Sequence, residues 1–130
     1  MLSLRNLVEE LRSSGIRDIF MLSNDSIVDM IALCEEYDIR LHSLLAEENI
    51  PIAAGVNSRY TGKVAAVLAS EGFCIHKMIN GLLTARIQYL PLLCLLIKSD
   101  QQVYPLNIQK QNSSIAVEDY LAGKGIPYIH

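Results

Sequence analysis

The stretch LLAEENIPIAAGVNSRYTGK, Leu44 to Lys63, decides how the rest of the chain is read. Its leucines end an apolar run, Ile39 to Leu45, that predicts a strand. Glu47 to Tyr60 then predicts a helix whose proline, Pro51, falls in the first turn, where a missing N–H costs little. Gly62 stops that helix, and Val64 to Ala69 is again short and apolar, a further strand. Strand, helix and strand in this order form the unit from which parallel sheets are built. The two acids at the first handover, Glu47 and Glu48, stand out, because an unpaired carboxylate between a buried strand and a buried helix is costly. Each is either solvated or employed.

Working outward, the same alternation continues in both directions. Leu4, Leu7, Val8 and Leu11 recur at helical spacing, so residues 3–14 predict an amphipathic helix capped by Ser3 and stopped by Gly15. Ile16 to Leu22 reads as a strand, apolar apart from Arg17 and Asp18 at its start. Ser23, Asn24 and Asp25 are capping candidates for a helix that turns Ile27, Met30, Ile31 and Cys34 inward. Beyond Lys63, a Ser70-Glu71-Gly72 turn leads into a long helix with Ile75, Met78, Ile79, Leu82 and Leu83 inward, and Leu92 to Ile97 is the fourth strand. Residues 98–113 are polar, contain Pro105 and predict a loop long enough to carry a role or meet a partner. Ser114 caps a short helix through Val117, Tyr120 and Leu121, which Gly125 stops, and Ile126 to Ile129 begins one more strand. The expected fold is α/β: an open, mainly parallel sheet with helices on both faces, in a single domain spanning residues 1–130.

Bulk composition narrows the function classes. The chain has 130 residues, 51% apolar and 19% charged, more apolar surface than a small monomer easily covers, so part of it is expected to be interface. A net charge of −3 leaves no basic stripe, and binding to nucleic acid has no electrostatic footing. The N-terminus lacks the basic-then-apolar order of a signal peptide, and Leu90 to Ile97, the longest apolar run, is too short to span a bilayer, so a cytoplasmic protein off the membrane is expected. Cys34, Cys74 and Cys94 are odd in number and widely spaced, which predicts core thiols rather than disulfides. With His42 and His76 they make no metal-ligand spacing, and no metal site is assigned. Lys77 and Arg86 on the long helix could meet an anion, but charges on one face of a helix are usually solvated, and that reading is favoured. GxSxG, Walker and GxGxxG sequences are absent, so nucleophile-elbow, nucleotide and dinucleotide readings lack their glycines.

In open parallel sheets, ligands sit at the carboxyl ends of strands, where the following helices point their N-termini. Glu47 and Glu48 follow one strand and Ser70-Glu71-Gly72 another, so the two turns can line one crevice. A carboxylate bordered by Leu44, Leu45, Ile50 and Ile52 suits a group that shares a proton with a bound ring nitrogen. From spacing alone, a solvated pair of acids favouring a helix N-terminus is the stronger reading.

Several pieces taken together resemble a known family. Gly15-Ile-Arg-Asp-Ile-Phe20, Glu47 with Ala53-Ala54, Arg59-Tyr-Thr-Gly-Lys63, Val64 to Ser70 and Tyr89-Leu-Pro-Leu-Leu93, in this order, look like the pyrimidine-binding domain of thiamine-diphosphate-dependent enzymes. Asp119-Tyr-Leu-Ala-Gly-Lys-Gly-Ile-Pro-Tyr128 is similar to the end of the stand-alone alpha subunits of sulfopyruvate and phosphonopyruvate decarboxylases. The resemblance implies that a glutamate at the Glu47 position hydrogen-bonds the aminopyrimidine ring, promotes its imino form and so lets the thiazolium carbon lose its proton, while the cofactor carries the carbanion chemistry. Counting back from Arg59 selects Glu47, and a slip of one residue would select Glu48. Ser70, Gly72 and Phe73 are implied to line the same cofactor. The diphosphate and its magnesium ion are implied to be held by a partner subunit bearing a Gly-Asp-Gly sequence, which these 130 residues do not contain. The implied chain is thus an alpha-type subunit, assembled with itself or with that partner, acting on a small 2-oxo acid by decarboxylation or acyl transfer.

Three departures from the family pattern accompany this. Ser70-Glu71-Gly72-Phe73-Cys74 stands where a glycine-rich turn is usual, and Glu71 near a helix N-terminus would repel an anionic substrate tail. Ala46 precedes Glu47 where many relatives carry a polar side chain. His130 stands where relatives continue through another helix and strand, so the sheet is expected to be one strand short or completed by a partner. These departures motivate an alternative, a non-catalytic pyrimidine-domain relative serving as scaffold or regulator; an unrelated flavodoxin-like binding module is a more distant one.

Overall fold

Elements α1 (Leu4–Ser13), β1 (Asp18–Leu22), α2 (Ile27–Glu36), β2 (Arg40–Leu44), α3 (Asn49–Thr61), β3 (Ala65–Ser70), α4 (Phe73–Ile87) and β4 (Leu92–Ile97) follow one another in a computed structural model. It describes residues 3–23, 27–70 and 73–97. The expected loop, short helix and last strand beyond Ile97 lie outside the described residues.

Local chemistry sets the element boundaries. Ser3 caps α1 by accepting a hydrogen bond from the Asn6 N–H at 3.2 Å. At the other end Gly15, at φ 93°, takes the left-handed turn; its N–H bonds Arg12 O, and the Ile16 N–H reaches back to Leu11 O. The same closure recurs after α2, where the Ile39 N–H bonds Cys34 O, and after α4, where the Leu90 N–H bonds Ala85 O. Because the caps use the amides of Ile16 and Ile39, β1 and β2 start at Asp18 and Arg40 rather than at Ile16 and Ile39 as the apolar runs predict. Gly62 ends α3 as expected, in the left-handed conformation.

The four strands are parallel, in the order β2-β1-β3-β4. The chain moves outward one way from β1 to β2 and the other way from β3 to β4, so the crevice expected of such sheets opens at the carboxyl ends of β1 and β3. Consecutive residues of a strand face opposite sides. Ile19, Met21, Ala66 and Leu68 pack with Val8, Leu11, Met30 and Cys34 of α1 and α2. Phe20, Ala65, Val67 and Ala69 pack on the other side with Ile50, Ala54, Met78 and Leu82 of α3 and α4. Burial on both faces is why β1 and β3 read as near-continuous apolar runs.

At the edges the burial differs from the sequence expectation. Ile31, expected inward, is 44% exposed, because the edge strand β2 is too narrow to cover all of α2. Together with Ile39, Leu41 and Ser43 it lines a shallow groove. Among the described residues no helix is long and apolar enough to cross a membrane.

Candidate functional site

Where β2 ends, the Ser23 N–H after β1 bonds the Leu44 carbonyl at 2.9 Å, tying the two strand ends together. The chain then makes a tight turn rather than entering a helix at Glu47 as expected. The Asn49 N–H bonds Ala46 O at 3.1 Å, the Ile50 N–H bonds Glu47 O at 3.3 Å, and α3 starts at Asn49. Ile50 and Pro51, both buried, anchor the turn from its far side.

Gly81 of α4 shows how tightly this turn is held. A Cβ there would lie 2.1 Å from the Glu48 carbonyl oxygen and 3.1 Å from Pro51 Cδ, so only glycine lets α4 come this close. Lys77 lies four residues earlier on α4 and therefore on the same helix face. Its Nζ stands 3.9 Å from Glu47 Oε1. The Glu47 side chain is only 21% exposed, whereas Glu48 is exposed, at the N-cap position of α3 with no capping hydrogen bond from its side chain. The two adjacent acids thus differ in environment: one lies against α4 and the other faces water.

Of the expected site residues, Glu47 is the one whose side chain is described. The main chains of Ser70 and Phe73 are placed, as the last residue of β3 and the first of α4, at the same end of the sheet as Glu47. Gly72 and the neighbouring Glu71 lie outside the described residues. Lys77 is 61% exposed, as a solvated charge would be, and its ammonium also approaches Glu47 across the β2–α3 turn; the glycine four residues after it is the sequence signal that α4 packs closely on that face.

The opposite end of the sheet holds a cluster that sequence reading passed over. Asp18, 3% exposed at the start of β1, accepts hydrogen bonds on both carboxylate oxygens from Arg40, at 2.9 Å each, and lies 2.8 Å from His42 Nε2. His42 stacks on Phe20 with ring centroids 4.3 Å apart. Burial pushes the Asp18 carboxyl up, but the hydrogen bonds from Arg40 and His42 and their charges outweigh it and hold the group below its ordinary value. Cys34 is buried, and burial pushes its thiol up to about 11, as suits an inert core residue.

Glu47 is partly shielded from water, and among the described residues it accepts no hydrogen bond, so its oxygen lone pairs are not taken up by the described protein groups. No curated protein matches the chain. Residues 4–116 match the family described as thiamine pyrophosphate enzyme, N-terminal TPP binding domain. With a doubly wound parallel sheet and a match across most of its length, the chain belongs to that thiamine-pyrophosphate-binding family.

Proposed function

We propose that this chain is the alpha-type subunit of a two-chain, cytoplasmic thiamine-diphosphate-dependent enzyme that acts on a 2-oxo acid by decarboxylation or acyl transfer, with Glu47 as the acid that engages the cofactor. The observation that carries this reading is the contrast within the acid pair. Glu47 lies against α4 at the carboxyl end of the sheet, 21% exposed and with no hydrogen bond from the described residues, while Glu48 is solvated. Thiamine diphosphate, when bound, would supply the carbanion and electron-sink chemistry that such a reaction needs.

The part played by this chain is narrower. Glu47 holds a proton at a ring nitrogen of the aminopyrimidine, within hydrogen-bonding reach as acid–base work requires. The turn of residues 46–49 fixes the backbone from which it acts, and Gly81 and Pro51 clamp that turn. Ser70, Gly72 and Phe73, between β3 and α4, complete the wall against the ring in this reading. In this reading the diphosphate and its magnesium ion are held on a diphosphate-binding partner subunit.

The test is reconstitution of the complex with its partner and comparison of wild type with Glu47→Gln. The expected result is thiamine-diphosphate-dependent turnover of a 2-oxo acid by the wild type and its loss in the variant, with an unchanged circular dichroism spectrum. Undiminished turnover in the variant overturns the assignment of Glu47. A complex that assembles without any thiamine dependence would instead make the chain a scaffold or regulator.

A further inference from the structure

We infer that Lys77 is a positioning residue for Glu47, holding its carboxylate against α4 and so toward the crevice between β1 and β3, in place of the solvent beyond the edge strand β2. This rests on the reading of Glu47 given above. β2 is the last strand on its side of the described sheet, so the turn after it has water on one flank and α4 on the other. A glutamate side chain on such a turn gains rotamer freedom by swinging outward, and nothing in the turn itself prevents this, since among the described residues the Glu47 carboxylate accepts no hydrogen bond. Lys77 is the cation that faces it.

At 3.9 Å the contact is charge attraction without a hydrogen bond, so it orients the carboxylate and leaves its lone pairs to a ligand. The placement of Lys77 is not accidental to the fold. Gly81, on the same face of α4, brings the helix against the Glu48 carbonyl, and that approach puts the ammonium within range of Glu47. With its side chain 61% exposed, Lys77 contributes little to the core, and its replacement tests orientation with the packing intact.

The experiment is a double-mutant cycle on the complex of the full chain with its partner subunit, reading thiamine diphosphate affinity by titration calorimetry beside kcat and the KM for cofactor. Lys77→Met is expected to weaken cofactor affinity about three- to fivefold in the wild-type background, the scale of a single partly exposed ion pair. It should have no effect in a Glu47→Gln background, and Lys77→Arg should restore most of the loss. An equal loss in both backgrounds, or none in the wild type, overturns the role of Lys77 while leaving that of Glu47 standing. If Glu47→Gln itself changes neither affinity nor turnover, the reading of Glu47 fails, and this inference with it.

Discussion

The two ends of the sheet each hold a carboxylate beside cationic side chains, and they use it in opposite ways. At the amino end, Asp18 is 3% exposed with both oxygens engaged: Arg40 donates to both at 2.9 Å, and His42 stands at 2.8 Å. At the carboxyl end, Glu47 is 21% exposed and, among the described residues, has one cation, Lys77, at 3.9 Å. A buried carboxylate with both oxygens engaged stabilises the fold and has little left for a ligand. One held in place without a hydrogen bond from its neighbours adds little stability and keeps its capacity to bind. The difference separates a structural acid from a candidate working one more sharply than the identity of either residue.

The largest expected effect sets the two acids directly against each other. Asp18→Asn removes the charge and puts an N–H among donors, and should lower the unfolding free energy in urea by about 2 kcal/mol. Glu47→Gln should change it by less than about 0.5 kcal/mol while abolishing turnover of the reconstituted enzyme. Equal stability losses in the two variants would erase the distinction.

Gly81→Ala comes next. Its Cβ would meet main-chain atoms of Glu48, which cannot swing aside like the tip of a side chain, so a loss of about 1–3 kcal/mol is expected in thermal unfolding, together with weaker cofactor binding as the turn shifts.

A pH series sharpens the comparison at smaller scale. The Asp18 carboxyl is held below its ordinary value of 3.8 in the folded chain, so the unfolded chain takes up the proton first as acid is added. The stability that Asp18 contributes is full above that value and is lost as the pH falls below it. Urea midpoints should therefore fall more steeply below pH 3.8 for the wild type than for Asp18→Asn. The smallest effect is expected from Glu48→Gln, within about 0.5 kcal/mol in stability and with turnover retained, since that side chain is exposed and caps nothing. Loss of turnover there, with Glu47→Gln active, would move the assignment by one residue.

Much of this molecule was legible before any coordinates. The alternation of short apolar runs with helical spacings located all eight described elements, and their order implied a parallel sheet covered on both faces. Boundaries were off by a residue or two where an amide that looks free in the sequence closes the preceding helix, as at Ile16 and Ile39. Ile31 has the spacing of a core residue, but periodicity cannot tell where a sheet stops, and the side chain overhangs the edge. The candidate acid was narrowed to Glu47 or Glu48 by resemblance. The contacts that distinguish the two join residues about thirty positions apart and leave no local pattern. Asp18, Arg40 and His42 were missed for the same reason: a lone acid opening one strand and an arginine and a histidine in the next look unrelated until the register pairs Asp18 with Arg40.

The sequence by itself determined the α/β class and the pair of acids at the end of β2, because these depend on side-chain periodicity and on residues close together along the chain, and its ordered motifs pointed by resemblance to the family. Tertiary structure alone decided which acid is shielded, which cation faces it and which carboxylate is used up in holding the sheet together. Those outcomes depend on the strand register and on how closely α4 approaches the β2–α3 turn, distances that only the packed chain defines.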